Sequence, residues 1–260
     1  MTTSIRCVIF DWAGTTIDYG CLAPSGAFVA AFRQYGIECS LREVRGPMGL
    51  HKKDHIRELL RDAEFSARFE SARGRDWTEA DVVELYRIVT PMQVEAAAKY
   101  AQLVPGLNAV VAELRELGLK IAGSTGYFRE AAEVCTTGAA AQGYVPDFSI
   151  CADEVPAGRP APWMIFRVME ALNVYPPSAV VKVGDTVVDI HDGLNAGVHS
   201  VAVIDSSSEM GLSLAEFEAL PQAEREQRRS TVRAKFVAAG ATAVLNSLDD
   251  LPAWLRMLKQ

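Results

Sequence analysis

The 260-residue sequence lacks a cysteine pattern, an excess of positive charge and any long apolar run. Its five cysteines form no CxxC pair and have no metal-binding spacing, so neither a zinc finger nor a disulfide framework is expected. The 26 Lys and Arg residues against 33 Asp and Glu residues give a net charge of −7, which argues against a nucleic-acid or anionic-membrane surface. No apolar stretch approaches the ~20 residues of a membrane span, and no signal-peptide pattern opens the chain. We therefore expect a cytoplasmic protein that binds neither nucleic acid nor a membrane.

The sequence does contain short apolar runs of strand length that alternate with longer helical patterns. The strand-like runs are Ile5–Phe10, Leu119–Gly123, Phe148–Cys151, Val180–Val183, Ser200–Ile204 and Ala241–Leu245. The helical patterns between them are Leu107–Leu117, Phe128–Ala140, Pro162–Leu172 and Val187–Ala196. This alternation predicts an α/β fold, a doubly wound parallel Rossmann-like sheet that binds ligands at the carboxyl ends of its strands.

One segment interrupts the alternation. From about Cys21 to Tyr100 there is no convincing strand, only amphipathic helical patterns at Gly26–Tyr35, Asp54–Arg61 and Glu79–Lys99. Such an insertion after the first strand predicts an α-helical cap domain over the strand ends. We place the cap at residues 21–100 and the catalytic core at residues 1–20 and 101–260.

Three acidic residues lie where predicted strands end. Asp11 follows the first run in the stretch VIFDWAGTT, and Asp185 and Asp189 follow Val180–Val183 in KVGDTVVD. Because parallel strands place their carboxyl ends at one edge of the sheet, the three carboxylates can converge on one hard cation. Magnesium prefers oxygen ligands and would screen the repulsion between a carboxylate and a phosphoryl group. The sequence therefore predicts Mg²⁺ as a cofactor.

Two further strand ends offer contacts for an anion. Ser124–Gly126 follows an apolar run and can present hydroxyl and N–H groups to a phosphate, so Thr125 and Gly126 are candidate substrate-binding residues. Arg159, in the loop PAGRP, offers a planar cationic fork for the same oxygens. A strand-end acid alone often only caps a helix, but the combination indicates a phosphoryl-transfer site.

The order Asp, Ser/Thr, Arg and Asp-x-x-x-Asp, each at its own strand end, resembles the haloacid dehalogenase-like superfamily. The resemblance implies that Asp11 is a nucleophile that forms an aspartyl-phosphate. It also implies that Thr125 and Arg159 contact the phosphoryl group. The superfamily is broad, so its motifs indicate a mechanism and not a substrate.

The same resemblance implies a metal-ligand set and exposes one unusual position. Asp11, Asp185 and the backbone carbonyl of Ala13 would hold the metal, with Asp189 behind them. Phosphatases and sugar mutases of the superfamily carry an Asp at the position of Ala13, where it protonates the leaving alkoxide. Alanine cannot transfer a proton, so either activity is lost or the leaving group needs no acid. A carbon leaving group stabilised as an enamine fits the second case.

An enamine requires an amine nucleophile, and the predicted cap offers one in GPMGLHKKDHIRELLRD. Helical spacing places Lys52 on an apolar face and Lys53 on a charged face. A helix N-terminus and the neighbouring cation would lower the pKa of Lys52 towards a reactive amine, which makes it the candidate Schiff-base residue. His55, one turn away, is a candidate proton shuttle, although a packing role is equally expected. The alternative is a structural role, in which Lys52 only packs its aliphatic chain at the rim of an apolar stripe.

Longer strings strengthen the likeness: FDWAGTTIDYG, PMGLHKKDH, STGY, DEVPAGRPAPWM and KVGDTVVD. Through nearly the whole chain they are similar to the superfamily members that hydrolyse carbon–phosphorus bonds. This similarity implies a small aldehyde-bearing phosphonate as substrate and a homodimer formed through the cap helices. Two departures from the pattern, Asp205–Ser206 and His51, are expected not to touch the chemistry.

Other functions stay open at this point. The same scaffold supports phosphomonoesterases and dehalogenases, but Ala13 argues against the first and the pair Asp185 and Asp189 against the second. A catalytically inactive phosphate-binding module would need neither Asp11 nor Lys52.

Overall fold

The computed structural model describes residues 4–258, and at its centre lies a six-stranded sheet. The strands are β1 Cys7–Phe10, β2 Lys120–Thr125, β3 Phe148–Cys151, β4 Val180–Gly184, β5 His199–Val203 and β6 Ala243–Leu245. All neighbouring pairs are parallel, in the order β3-β2-β1-β4-β5-β6. Successive residues of β1 pack into two different apolar clusters, Val8 and Phe10 into one and Cys7 and Ile9 into the other. The sheet is therefore covered on both faces, which confirms the predicted doubly wound α/β fold.

Five helices occupy the segment between β1 and β2. They are α1 Leu22–Gln34, α2 Leu41–Val44, α3 Lys52–Arg61, α4 Ala63–Arg73 and α5 Glu79–Lys99. Their buried apolar side chains form a separate cluster drawn from residues 27–89, with Phe28, Phe32, Ile56 and Leu60 among its members. A core of its own supports a separate helical cap. The boundaries 1–20, 21–100 and 101–260 stay a prediction, and residues 1–3 and 259–260 lie outside the described part of the chain.

The sequence patterns miss two of these helices, α2 and α4. The first is a single turn closed by a capping box between Ser40 and Glu43. The second buries only Phe65 and Phe69, so its apolar stripe is two residues long. Neither helix carries the repeated apolar spacing from which a helix is predicted.

Seven further helices and three short 3₁₀ turns complete the sheet domain. The helices are α6 Leu107–Glu116, α7 Arg129–Ala140, α8 Trp163–Ala171, α9 Val187–Ala196, α10 Leu214–Ala219, α11 Gln222–Ala238 and α12 Leu251–Met257. The 3₁₀ turns are Ala152–Glu154, Pro177–Ala179 and Leu248–Asp250. Across residues 4–258, none of the helices combines the length and the apolar character that a membrane span requires.

The two connections between the helical insertion and the sheet domain run side by side. The N–H of Val104 donates to the carbonyl of Thr16 over 2.8 Å, and the N–H of Asp18 donates to the carbonyl of Gln102 over 3.1 Å. The side chain of Gln142 accepts from the N–H of Leu103 and donates to the carbonyl of Ala101. The insertion is thus joined to the sheet domain through two adjacent, hydrogen-bonded segments.

Candidate active site

Asp11 is held at the end of β1 by its backbone. Its N–H donates to the carbonyl of Val183 over 2.8 Å, and Thr16 Oγ1 donates to its carbonyl over 3.0 Å. The chain then turns at Gly14, which has φ +86°, and a Cβ at this position would lie 2.3 Å from Asp185 Oδ2. Glycine is therefore required for this turn to pack against the carboxylate of β4.

Asp11, Asp185 and Asp189 each offer one carboxylate oxygen to a cluster in which these atoms all lie within 4.8 Å of one another. Asp185 is 1 % exposed, and its Oδ2 accepts from the N–H of Ser208 over 2.8 Å. Its Oδ1 is buried without a partner among the described residues. Burial, followed by the charges of Asp11 and Asp189, raises the pKa of Asp185 well above its usual range. An unpaired, repelled carboxylate oxygen fits a bound cation, so the residues present can hold a metal ion.

Asp189 has a different environment from Asp185. Its Oδ1 lies 2.7 Å from Lys182 Nζ and 2.9 Å from Arg159 Nη1, and its Oδ2 accepts from Thr186 Oγ1. Burial acts to raise the pKa of Asp189, but Arg159 and Lys182 outweigh it and lower this pKa to about 2. Both carboxylate oxygens of Asp189 already have partners, which agrees with a position outside the direct ligands of the metal.

Arg159 links the acidic cluster to β2. It is 3 % exposed, and its Nη1 donates to Asp11 Oδ1 over 2.6 Å. Its Nη2 donates to the carbonyl and the hydroxyl of Ser124, over 2.6 and 2.8 Å. The guanidinium thus orients the predicted nucleophile directly. Its predicted contact with a phosphoryl group remains a prediction.

Sequence reasoning missed two charged residues of this cluster, Lys182 and Asp192. Lys182 is fully buried within β4, and Asp192 Oδ2 lies 3.5 Å from Arg159 Nε with both carboxylate oxygens otherwise unpaired in the described chain. Burial raises the pKa of Asp192 to about 6. A signal was present, since a lysine inside an apolar strand needs a carboxylate partner and Asp192 follows Asp189 by one helical turn.

Lys52 opens α3 and lies in the interior. It is 3 % exposed, whereas Lys53 is half-buried with its Nζ 5.0 Å from the centre of the Tyr86 ring. Lys52 Nζ lies 4.9 Å from the centre of the Tyr127 ring, and no carboxylate among residues 4–258 comes within 4.0 Å of it. Burial is the largest cause that lowers the pKa of Lys52, while the charges of Cys21 and Asp11 oppose the shift. Burial therefore shifts the equilibrium towards the amine relative to an exposed lysine.

Lys52 and Asp11 line the same small cavity. Its other lining residues include Ala13, Cys21, Met48, Thr125, Gly126, Tyr127, Arg159 and Asp185. The cavity has a volume of about 20 Å³, so it is large enough for roughly one water molecule. Every predicted catalytic, metal-binding and substrate-binding residue except His55 and Asp189 borders it. Thr125 Oγ1 accepts from the N–H of Tyr127, which leaves its hydroxyl hydrogen free for a ligand.

His55 does not line this cavity and lies in the core of the insertion. It is fully buried and stacks on Phe28 with ring centres 4.0 Å apart. Burial and the charge of Lys52 lower the pKa of His55 well below its usual range. The ring is therefore neutral, with Nε2–H donating to the carbonyl of Val44 over 2.8 Å. Its Nδ1 has no partner in the described chain, so the proton-shuttle role predicted for His55 remains a prediction.

The loop after β5 packs against the site through the backbone of the β1 turn. Ser206 Oγ donates to the carbonyl of Gly14 over 2.7 Å, and the next residue but one, Ser208, holds Asp185 through its N–H. Asp205 anchors the loop through two hydrogen bonds from Arg229. Sequence alone could not reveal this role, because it depends on contacts between β5 and the β1 turn.

A sequence model of the haloacid dehalogenase-like hydrolase family matches residues 5–197 of the chain. The chain belongs to this family. As a haloacid dehalogenase-like hydrolase, it carries the family's acidic cluster together with an alanine two residues after the predicted nucleophile.

Two relatives of this hydrolase carry the same name, and a solved structure carries a related description. The phosphonoacetaldehyde hydrolase of Bacteroides fragilis is 44 % identical over 98 % of this chain and 97 % of its own length. That of Bacillus cytotoxicus is 41 % identical over 98 % of this chain and 97 % of its own length. The crystal structure of a phosphonoacetaldehyde hydrolase-like protein from Oleispira antarctica is 36 % identical, with a TM-score of 0.97 over 99 % of this chain and 93 % of that one.

Proposed function

We propose that the protein hydrolyses the carbon–phosphorus bond of phosphonoacetaldehyde to acetaldehyde and phosphate. The observation that carries the proposal is the buried amine of Lys52 in the same cavity as Asp11, next to Ala13. The activity named for its relatives from Bacteroides fragilis and Bacillus cytotoxicus supports this substrate.

We propose Mg²⁺ as the metal, held by Asp11, Asp185 and the carbonyl of Ala13. Support comes from the unpaired Asp185 Oδ1 and from the crowding of carboxylates around it. When bound, the ion would neutralise phosphoryl oxygen charge and allow the carboxylate of Asp11 to approach phosphorus.

The first step belongs to Lys52. Its neutral amine adds to the aldehyde carbon, and loss of water leaves an iminium, which withdraws electrons from the carbon bonded to phosphorus. His55 is the candidate proton shuttle for this step, because its Nδ1 has no partner in the described chain and its ring is neutral. Cys21, Met48 and Tyr127 would surround the aldehyde portion.

Asp11 then attacks phosphorus and forms an aspartyl-phosphate. The electron pair of the broken carbon–phosphorus bond moves into the iminium and gives an enamine on Lys52. No acid at the position of Ala13 is needed, because no alkoxide leaves. Arg159 fixes Asp11 through its 2.6 Å hydrogen bond, and Thr125 can donate to a phosphoryl oxygen.

Two hydrolytic steps restore the enzyme. The enamine takes a proton on carbon and water releases acetaldehyde, which regenerates the amine of Lys52. A second water attacks the aspartyl-phosphate and releases phosphate from Asp11. The atoms of one water are consumed overall.

We further propose that the reaction serves degradation of 2-aminoethylphosphonate. A Clostridioides difficile relative, 44 % identical over 95 % of this chain and 39 % of its own length, is a bifunctional phosphonoacetaldehyde hydrolase/aminoethylphosphonate transaminase. The five free cysteines fit a reducing cytoplasm. A homodimer through the cap helices is proposed from the family resemblance.

The test is release of acetaldehyde and phosphate from phosphonoacetaldehyde, measured with Mg²⁺ and with a chelator. The proposal expects equal amounts of both products, loss of both with the chelator, and loss of both in Lys52→Arg. A wild-type protein that hydrolyses simple phosphate esters but not phosphonoacetaldehyde would contradict it and favour a phosphomonoesterase.

A further inference from the structure

The residue that precedes Lys52 has an unusual set of contacts. His51 is the N-cap of α3, and its Nδ1 accepts from the N–H of Lys53 over 3.3 Å. Because Nδ1 accepts, the ring proton lies on Nε2. That nitrogen faces Asp153 Oδ1 at 3.2 Å and donates to it.

Asp153 belongs to the sheet domain, in the 3₁₀ turn that follows β3. Its second oxygen, Oδ2, accepts from the N–H of Arg129 at the first residue of α7 over 3.0 Å. Each side chain is therefore held by a backbone N–H, His51 by that of Lys53 in α3 and Asp153 by that of Arg129 in α7. The side chains of His51 and Asp153 are 18 and 35 % exposed, so the pair lies at the rim of the interface between the helical insertion and the sheet domain.

The contact between His51 and Asp153 is, within the described chain, the single hydrogen bond or ion pair between residues 26–95 of the helical insertion and residues 101–258. The remaining contacts there are ring contacts, Lys52 with Tyr127 and Tyr86 with Phe128, and close packing. A Cβ at Gly126 would lie 2.6 Å from the carbonyl oxygen of Gly49, and a Cβ at Gly158 would lie 3.2 Å from His51 Cβ.

The size of the cavity makes this contact functionally relevant. A volume of about 20 Å³ cannot admit a phosphonate substrate, so α3 must move away from the sheet domain for entry and return for reaction. Return must place Lys52 over Asp11. A hydrogen bond between two groups that are each held by a backbone N–H restricts the orientation in which α3 returns.

We propose that His51 and Asp153 form a latch that positions the start of α3, and with it Lys52, over the active site. His51 is a positioning residue and takes no part in the chemistry. The inference rests on the proposed function only in giving Lys52 a role in the closed site.

Two substitutions distinguish the contact of His51 with Asp153 from its role as the N-cap of α3. His51→Asn keeps an N-cap acceptor for the N–H of Lys53, but its side chain is too short to reach Asp153. His51→Gln is a poorer cap, but its amide can extend to Asp153. The experiment measures the rate at which a small amine-acylating reagent modifies Lys52 in the wild type and both variants, by peptide mass spectrometry. Exposed Lys99 on α5 serves as the internal control.

For His51→Asn we expect acylation of Lys52 to be roughly fivefold to tenfold faster, as for loss of one hydrogen bond to a carboxylate at the rim of an interface. His51→Gln should stay closer to the wild type, and Lys99 should be unaffected. The double variant His51→Asn/Asp153→Asn should open no further than His51→Asn. Unchanged labelling in His51→Asn, or faster labelling only in His51→Gln, would overturn the latch. The labelling needs no turnover, so a failed latch and a failed carbon–phosphorus hydrolysis are distinguishable.

Discussion

Replacing Lys52 by methionine should abolish activity and stabilise the fold. Lys52 is 3 % exposed, and its amine has no carboxylate within 4.0 Å among residues 4–258. A buried polar group without a compensating partner costs about 1–3 kcal/mol in protein substitutions. Methionine keeps the length and flexibility of the chain, so its thioether can fill the same space beside Phe28 and Tyr127. The expected gain in the free energy of unfolding is therefore about 1–3 kcal/mol.

The gain should depend on pH in a defined direction. Burial lowers the pKa of Lys52 in the folded state below the 10.5 of a free lysine. At a pH between the folded-state pKa and the unfolded-state pKa of Lys52, the unfolded chain binds more protons than the folded chain. The free energy of unfolding of the wild type therefore rises with pH in this range, by at most about 1.4 kcal/mol per pH unit. The advantage of Lys52→Met should thus be largest below the folded-state pKa and shrink as pH approaches 10.5.

Thermal unfolding of wild type, Lys52→Met and Lys53→Met at several pH values measures this effect. For a chain of this size, 1 kcal/mol corresponds to roughly 2–4 °C in Tm. Lys53 is half-buried on the same helix, so its substitution should alter neither stability nor its pH dependence by a comparable amount. Destabilisation by Lys52→Met, or an advantage that grows with pH, would refute the assignment of Lys52 as an unpaired amine.

Three other perturbations probe the acidic cluster. Lys182→Met should destabilise the protein by about 3–5 kcal/mol, because it leaves the buried carboxylate of Asp189 with one cation fewer. The control Lys120→Met, at an exposed lysine, should not destabilise the protein to this extent, and denaturant unfolding of both variants measures the difference. Gly14→Ala should weaken Mg²⁺ binding in calorimetry, since its Cβ would lie 2.3 Å from Asp185 Oδ2, and an unchanged affinity would contradict the proposed ligand set. Mg²⁺ at about 100 times its Kd should stabilise the wild type by about 2.7 kcal/mol and leave Asp185→Asn unchanged in thermal unfolding.

The features that sequence predicts well are those that follow from strand ends. Asp11, Thr125 and Asp185 each stand at the carboxyl end of a buried strand, and the parallel sheet brings these ends to one edge. Helical spacing likewise places Lys52 and His55 on the buried face of α3, where the structure has them. Local periodicity and parallel topology are sufficient for these positions.

The contacts that sequence does not reveal join segments distant in the chain. His51 meets Asp153 across 102 residues, and Ser206 meets Gly14 across 192. His51 and Ser206 both look like neutral departures from the family pattern until the insertion and the β5 loop are packed. Such pairings depend on tertiary geometry, which no local pattern encodes.

The central claim is a covalent bond between Lys52 and the substrate, and borohydride trapping tests it most directly. Enzyme, Mg²⁺ and phosphonoacetaldehyde are mixed with borohydride, and the modified peptide is sequenced by mass spectrometry. The account predicts an ethyl group on Lys52 in the wild type, trapped after the carbon–phosphorus bond has broken. In Asp11→Asn it predicts a phosphonoethyl group on Lys52, because the imine forms but phosphorus is not attacked. Modification of Lys53 instead, or no adduct while acetaldehyde is still released, would contradict it.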